Sequence, residues 1–470
     1  MRKNSVKRNR NMRRMVKRMA ITGLLACLVG LMTGCSATYE VTTSTEEFVL
    51  TPDAPRPDVE PDVEPDVQPD VKLTAVNLTE DVDAAVAEQI ALDEAFLLGT
   101  SQFSVTMLQQ CLAAMESDTQ NVMVSPTSLQ LALAIAANGA DGDTLKEMES
   151  VLMAGKCGDG MDISKLTKYL TTFVKQLSDA EGVEFHSANS FWVRDDKDRI
   201  QVKKEFLQNI KSFDAEAYQA PFDDTTVADI NGWVNQHTNQ MIPELLKEIP
   251  ADAVAYIINA LAFEAEWSLP YEDYQINERI FTNAAGVEQT MRALSSEEKH
   301  YLEDDSAIGF MKSYKGGKYA FAALLPKEGS AVDYVNSLTG EQLQSIFKNR
   351  SYEDVNVVMP CFKSEYSVSL NDALRSMGMP SAFSPNTADF SKMADTETGL
   401  LYINQVLQKT FIEVDEHGTK AAAATMIGMT DCAAAMEEPK YVILDRPFVY
   451  AIVDTETNLP VFFGVLNSVE

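Results

Sequence analysis

The four histidines are the first residues to consider for catalysis, because histidine is the commonest general base near neutral pH. They are His186, His237, His300 and His417, and no two of them stand at metal-ligand spacing. The sequence has no G-x-S-x-G turn, no H-E-x-x-H motif and no glycine-rich phosphate loop. Its many carboxylates are best interpreted as a solvated surface. We therefore expect no conventional enzyme, no metal site and no cofactor.

A different kind of chemistry is indicated after position 410. A β-forming run ending at Val414 leads into Glu416, Gly418 and Thr419, and small residues then follow: Ala421, Ala422, Ala423, Ala424 and Thr425. Gly418 offers a flexible pivot. The small side chains after it could slip between existing strands with little steric resistance.

The alternation of side chains along a strand supports this interpretation. One face of an inserted strand would carry uncharged residues at 419, 421, 423, 425, 427 and 429. The only charge in the run, Lys420, would fall on the other face, which can remain solvated. Because alanine is the best helix former, a short helix over 421–424 is the alternative, and both forms can occur before and after insertion.

The elements around this segment predict an α+β fold. Apolar residues at three- and four-residue intervals predict helices from Ala84 to Phe96 and over Phe103–Met115. A third helix, Ser128–Asn138, is apolar nearly all round and should be buried. Further helices are predicted over 145–152, 226–246 and 369–377, and Asp143-Thr144 cap the first of these. Strands are predicted over 188–193, 253–263, 319–325, 355–362, 400–414, 441–444, 448–454 and 460–466.

The N-terminus has the pattern of a targeting segment. Nine Lys or Arg precede or flank a short apolar run that ends in Met32-Thr33-Gly34-Cys35. This ending resembles a bacterial lipobox, which implies cleavage after residue 34 and lipidation of Cys35; an ordinary secretory signal is the alternative. Residues 35–83, with their Pro-Asp-Val repeats, predict an extended spacer, and residues 84–470 the folded domain.

The net charge of the chain is −31. Because the first 34 residues contain nine basic and no acidic residues, the chain after residue 34 has 30 basic and 70 acidic residues. So acidic a body should repel nucleic acid and anionic lipid. Cys111, Cys157, Cys361 and Cys432 are too sparse and irregular to indicate a disulfide framework.

Six blocks together resemble the serpin family, over essentially all of the chain from about residue 90. They are the hinge Glu416–Thr425, Asn121–Ser128, Asn259–Phe263 with Trp267 eight residues after the asparagine, Val358–Lys363, Ala388–Ser391 and Asp445–Phe448. The resemblance implies helices packed on a large central β-sheet, with smaller sheets and an exposed reactive-centre loop. It also implies irreversible protease inhibition, in which a cleaved loop inserts into the sheet and carries the acylated protease with it.

The resemblance further assigns roles to single residues. Ser128 and Asn259 would belong to a hydrogen-bonded cluster under the opening sheet, where Gln408 replaces the usual histidine. Glutamine both donates and accepts hydrogen bonds, so the cluster can persist, although the substitution affects how readily, or at what pH, the sheet opens. Trp267 would mark the place where insertion begins.

The family spacing implies a reactive bond between Cys432 and Ala433, with Met429, Thr430 and Asp431 as alternatives. Cys432 implies an elastase-like serine protease as target, Asp431 an Asp-cleaving protease and Met429 a chymotrypsin-like one; cysteine proteases stay open as partners. We expect a monomer, outside the cell, attached to the bacterial envelope only by its N-terminal lipid. A non-inhibitory serpin-fold binding module and a solute-binding or adhesion lipoprotein are the rival hypotheses.

Overall fold

Helices pack against two large β-sheets in the computed structural model, which describes residues 72–85, 88–155, 161–178, 183–196, 199–396, 401–419 and 439–469. Within these ranges the α-helices are α1 (Glu94–Ala113), α2 (Pro126–Ala137), α3 (Gly142–Leu152), α4 (Ile163–Ser178), α5 (Lys204–Ser212), α6 (Asp224–His237), α7 (Ala331–Ser337), α8 (Gly340–Lys348) and α9 (Asn371–Met377). No helix in the described ranges is both long enough and apolar enough to cross a membrane.

Three helix predictions differ from the structure. The two predicted helices around position 100 are one helix, α1, which begins after Asp93, whose carboxylate accepts the N–H of Phe96 at 2.9 Å. Helix α3 is capped by Asp141 and not by Asp143. Helix α6 ends at His237, nine residues before the predicted end, because the chain turns through positive φ angles at Asn239 and Gln240.

The strands of the described residues are listed here in chain order: β1 (Val76–Asn77), β2 (Val122–Val124), β3 (Val183–Arg194), β4 (Ile200–Val202), β5 (Glu216–Ala220), β6 (Ala255–Glu266), β7 (Ile276–Thr282), β8 (Glu288–Glu303), β9 (Ala307–Ser313), β10 (Tyr319–Pro326), β11 (Ser351–Pro360), β12 (Phe362–Ser369), β13 (Ala394–Thr396), β14 (Gln405–Val414), β15 (Gly418–Thr419), β16 (Lys440–Ile443), β17 (Phe448–Asp454) and β18 (Leu459–Leu466).

Two large sheets contain almost all of these strands. The central sheet has the order β1-β5-β3-β6-β15-β14-β12. The second sheet follows the path β16-β11-β8-β9-β10-β17-β18-β2, with β7 added at β8, and β13 pairs with β4. This arrangement confirms the predicted fold class of helices on a large mixed central sheet with further sheets.

Helix α2 lies between the two sheets, where it contacts β6 of the central sheet and β18 of the second. All twelve of its residues are buried, which confirms the burial predicted from its apolar sequence. A helix without a polar face is stable only where every side is covered. Its position ties the central sheet to the core beneath it.

Strand β1 extends the central sheet at its edge by pairing with β5. The Asp229 carboxylate of α6 accepts hydrogen bonds from the backbone N–H groups of Thr74 (3.0 Å) and Ala75 (2.7 Å) and from the Thr74 hydroxyl (2.6 Å). Leu73 and Ala75 pack on the apolar cluster around Trp233. Ordered packing therefore begins within the stretch that the sequence assigns to the spacer, before position 84.

Candidate functional site

Strands β6 and β14 separate at one end of the central sheet. The two strands run parallel and pair directly from Gln405 opposite Tyr256 to Phe411 opposite Ala262. Beyond that point β15 lies between them, with Thr419 opposite Ala265 on one side and Val414 on the other. The start of the hinge already occupies a place in the sheet.

A tight reversal after β14 brings the hinge back into this gap. The Asp415 carboxylate accepts the backbone N–H groups of His417 at 2.8 Å and Gly418 at 3.1 Å, and the Asp415 N–H donates to the Gly418 carbonyl at 2.9 Å. A Cβ atom on Gly418 would lie 2.1 Å from the Ala265 carbonyl oxygen. Glycine is therefore required here because the backbones approach closely, a reason that adds to the predicted pivot.

Thr419 is fully buried at the end of β15. Its hydroxyl lies 2.6 Å from the Tyr314 hydroxyl, and the Tyr314 ring stacks on Trp267 with centroids 4.4 Å apart. Burial raises the pKa of Tyr314 far above its ordinary value, so the phenol stays protonated and can donate. Thr419 thus points into the main core, as the uncharged face of the hinge should.

Trp267 holds the reversal through its backbone and its ring. Its N–H donates to the His417 carbonyl and its indole N–H to the Asp415 carbonyl, both at 2.9 Å, while the Tyr271 N–H donates to the Glu416 carbonyl at 2.9 Å. Trp267 therefore lies at the point where β15 enters the sheet.

The Glu416 side chain is fixed by Arg292 of β8. Both terminal guanidinium nitrogens donate to the carboxylate, one of them at 2.7 Å, and this bonding holds the pKa of Glu416 below its ordinary value. The Cys361 thiol lies 3.9 Å from Arg292, and burial raises its pKa to about 12. The thiol is therefore protonated at neutral pH.

A second polar cluster lies deeper, between β6 and β14. The Gln408 amide donates to the Asn259 side-chain oxygen at 2.6 Å, and Asn259 donates to Ser128 and to Asn189, both at 2.6 Å. Gln408 also exchanges two hydrogen bonds of 3.0 Å with the backbone of Ser125. All three predicted members, Ser128, Asn259 and Gln408, are buried and joined in one network.

The remaining predicted site residues lie outside the described part of the chain. These are the alanines and Thr425 of the hinge, Met429 to Ala433 around the reactive bond, and Cys35. The described cysteines, Cys111 and Cys361, are both free. In the same ranges no group of three or more His, Cys, Asp or Glu side chains is placed to hold a metal ion.

The sequence did not indicate three contributors to the site. Arg292 lies in β8 and Tyr314 directly after β9, each more than a hundred residues before the hinge residue that it contacts. Asn189 of β3 extends the deeper network. The only signal in the sequence for these contributors lay in the hinge itself, which has a glutamate that needs a cationic partner and a threonine that needs a buried hydrogen-bond partner.

Comparison with known proteins identifies this architecture. A family model described as Serpin (serine protease inhibitor) matches residues 98–469. An uncharacterized serpin-like protein of Thermococcus kodakarensis is 32% identical over 354 residues, which cover 74% of this chain and 80% of that protein.

Two solved structures of the thermophilic serpin tengpin are also similar. Its native state has a TM-score of 0.78 and 41% identity, and covers 84% of this chain and 99% of that one. Its latent state has a TM-score of 0.70 and 38% identity, and covers 82% of this chain and all of that one.

Proposed function

The chain belongs to the serpin family, whose members generally inhibit proteases, and we propose that it is an irreversible inhibitor that acts by inserting its cleaved loop into the central sheet. The observation that carries the proposal is β15. Gly418 and Thr419 lie between β6 and β14 and are paired with both. This position supports the proposal, because the chain already begins its path between the two strands that insertion would separate.

The register of the sheet supports continued insertion. Extending β15 antiparallel to both neighbours would set residue 422 between Phe411 and Ala262, which already face each other across the closed part of the sheet. Each later residue of the segment would likewise enter between two residues that already face each other, because the pairings of β15 with β6 and with β14 match the register of β6 with β14. Insertion would therefore need β6 and β14 to move apart by one strand, about 4.8 Å, without sliding.

The energetics favour the inserted form. Inserting a strand would replace one parallel ladder, β6 with β14, by two antiparallel ladders, and antiparallel pairing is slightly more stable per residue. The residues of the segment that point into the core beside Ile412, Thr410 and Gln408 are all small or uncharged. The chain would gain hydrogen bonds on both sides of the segment at little steric cost.

The deeper cluster would act as a latch on this process. Residue 425 would arrive between Gln408 and Asn259, whose mutual hydrogen bond of 2.6 Å would have to break. Thr425 carries a hydroxyl that can bond to either amide. The network would hold the sheet closed in the intact molecule and be satisfied again after insertion.

Speed decides whether such a molecule inhibits or is only a substrate. Acylation by the protease frees the loop, and insertion must distort the protease before water hydrolyses the acyl-enzyme. We propose Cys432–Ala433 as the reactive bond and elastase-like serine proteases as the targets, because a small, moderately apolar residue suits a small pocket. Asp431 and Met429 would imply Asp-cleaving and chymotrypsin-like proteases.

The test is to incubate the domain with elastase-like, subtilisin-like, chymotrypsin-like and papain-like proteases and to analyse the mixtures on a denaturing gel. We expect a covalent adduct with at least one of them, and mass spectrometry of the released C-terminal peptide identifies the cleaved bond. Cleavage of the loop by every protease, with full protease activity retained, would contradict inhibition and favour a binding module of the same fold.

We further propose that the protein is a lipoprotein held at a bacterial cell surface through Cys35, with residues preceding the folded domain as spacer. The lipobox-like ending and the Pro-Asp-Val repeats support this. Cys35→Ala in an expressing bacterium should move the protein from the membrane fraction to the soluble or secreted fraction. An unchanged membrane fraction would contradict lipid anchoring.

A further inference from the structure

A cleft of about 750 Å³ opens beside the second sheet. It is lined by the links from α1 to β2 and from β16 to β17, the turn between β7 and β8, the start of α7 and the residue after β18. Its volume lies in the range of small-molecule sites, about 300–1,000 Å³. None of the residues that line it belongs to the hinge or to the deeper polar cluster, so the cleft is separate from the site described above.

The turn between β7 and β8 is anchored on both sides by backbone hydrogen bonds. The Thr282 N–H donates to the Asp445 carbonyl at 2.8 Å, and the Ala284 N–H donates to the Asn467 carbonyl at 2.9 Å. Asn283 stands between these two anchors, and both it and Asn467 line the cleft. The fold therefore brings two asparagines from distant parts of the chain to one wall.

Each of these two buried amides uses only one of its two ends. Asn283 is 8% exposed, its oxygen accepts the N–H groups of Ala285 at 3.0 Å and Val287 at 2.9 Å, and its NH₂ group donates to no described residue. Asn467 is 1% exposed, its NH₂ group donates to the Gln120 carbonyl at 2.7 Å, and its oxygen accepts from no described residue. The bonds that are made fix the orientation of both amides. The cleft thus offers one unused donor and one unused acceptor.

The charges of the lining favour a neutral ligand. Arg446 donates to the Asp445 carboxylate at 3.2 Å and to the Pro326 carbonyl at 3.0 Å, so its cation is already paired. Asp118 is the third charged residue of the lining, which leaves a net negative charge that disfavours anions. Much of the remaining surface is apolar and comes from Met115, Ala331, Val332 and Pro447.

We propose that this cleft binds a small neutral molecule with an amide edge, a primary carboxamide or a lactam, on an apolar body. Such an edge has one acceptor and one donor side by side, which complement the Asn283 NH₂ group and the Asn467 oxygen. A buried polar group without a partner destabilises the fold, and one amide edge would satisfy both groups at once. The apolar body would cover Met115 and Val332, which line the same cleft.

The test compares three molecules that share a phenyl ring and a three-carbon chain: 3-phenylpropanamide, 3-phenylpropanoate and 3-phenylpropylamine. Ligand-observed NMR titrations against the full chain give a dissociation constant for each. The amide should bind about fivefold more tightly than the anion or the cation, because only the amide offers a donor and an acceptor without a charge. A charged molecule that binds as tightly as the amide, or no binding by any of the three, would overturn the proposal.

Two variants locate the binding. Asn283→Asp keeps an oxygen for the N–H groups of the turn but removes the unused donor, and should weaken amide binding about tenfold. Ala284→Phe places a ring in the cleft and should abolish amide binding. Asn386→Asp, at an exposed asparagine that does not line the cleft, is the matched control and should bind the amide like the wild type.

Thermal melts keep the variants interpretable. All three should melt close to the wild type, and the amide should raise the melting temperature of the wild type and of Asn386→Asp, but not that of Ala284→Phe. Equal affinity of Asn283→Asp and wild type, or equal losses in Asn283→Asp and the control, would place the amide elsewhere and overturn the proposal. The inference is independent of the proposed function: a failure to bind the amide would leave protease inhibition standing, and a failure to trap proteases would leave the cleft standing.

Discussion

The substitution Thr419→Arg tests whether β15 is the starting point of insertion. Thr419 is fully buried against Tyr314 and Trp267, and within the described part of the chain no carboxylate bonds to these three side chains. An arginine would therefore bring an unpaired charge into the core, which costs several kcal/mol even after relaxation. The intact protein can avoid that cost by expelling β15 from the sheet.

The cost to the intact fold is then limited. It loses the two pairings of β15 and leaves the Tyr314 hydroxyl without its partner, a loss of about 1–3 kcal/mol, so the melting temperature should fall by only a few degrees. The effect on inhibition should be much larger. Insertion would have to carry the arginine into the core, and about 3 kcal/mol added to that barrier slows the step by more than a hundredfold.

The assay measures the number of inhibitor molecules cleaved per protease molecule trapped, together with thermal melts of the intact variants. Thr419→Ser is the matched control, because it keeps the hydroxyl opposite Tyr314 and should inhibit like the wild type. Thr419→Arg should be cleaved without trapping the protease. An arginine variant with wild-type stoichiometry would refute the reasoning that the hinge enters the core at Thr419.

Three other perturbations test the surrounding contacts. Glu416→Gln should lower the melting temperature of the intact protein near neutral pH. Because Arg292 depresses the pKa of Glu416, the ionised carboxylate stabilises the fold above its ordinary pKa of 4.5, and this stabilisation is lost as the pH falls through the lower folded-state pKa. A difference in melting temperature between variant and wild type that is the same at neutral pH and below the folded-state pKa would be contrary evidence. Gln408→His should make the rate of heat inactivation depend on pH between about 5.5 and 8, because a protonated imidazole ring cannot accept the Ser125 N–H. If the inactivation rates of variant and wild type change with pH in the same way across that range, the result would count against the latch. Asp229→Ala removes the acceptor of three hydrogen bonds and should lower the free energy of unfolding by about 2 kcal/mol or more. It should also expose residues 72–85 to proteolysis. If these residues are digested no faster in the variant than in the wild type, β1 is held by other contacts.

Local patterns in the sequence were enough for the α+β class and for the buried helix α2, whereas the large central sheet was predicted from the resemblance to serpins. An all-apolar helix and late β-rich segments constrain the layers directly. The ends of helices and strands were harder to predict. Helix α6 ends at His237 because the backbone reverses at Asn239 and Gln240, and the spacing of apolar residues does not encode such a reversal. The two-residue strand β1 is likewise held by pairing with β5 and carries no periodicity of its own.

The site was only half predictable for a similar reason. The resemblance to serpins pointed to Ser128, Asn259 and Gln408, and the structure joins them, but Asn189 entered only through the pairing of β3 with β6. That Glu416 needs Arg292, and that Thr419 already lies between two strands, depends on contacts between segments far apart in the chain. Register across a sheet is a tertiary property that no local pattern of the sequence encodes.

The most direct test of loop insertion is a thermal melt of the protein before and after a single cut in the loop between residues 420 and 438. If the severed segment enters between β6 and β14, the cut protein should melt far above the intact one, because two antiparallel ladders replace one parallel ladder. A cut protein that melts at or below the temperature of the intact protein would contradict the account.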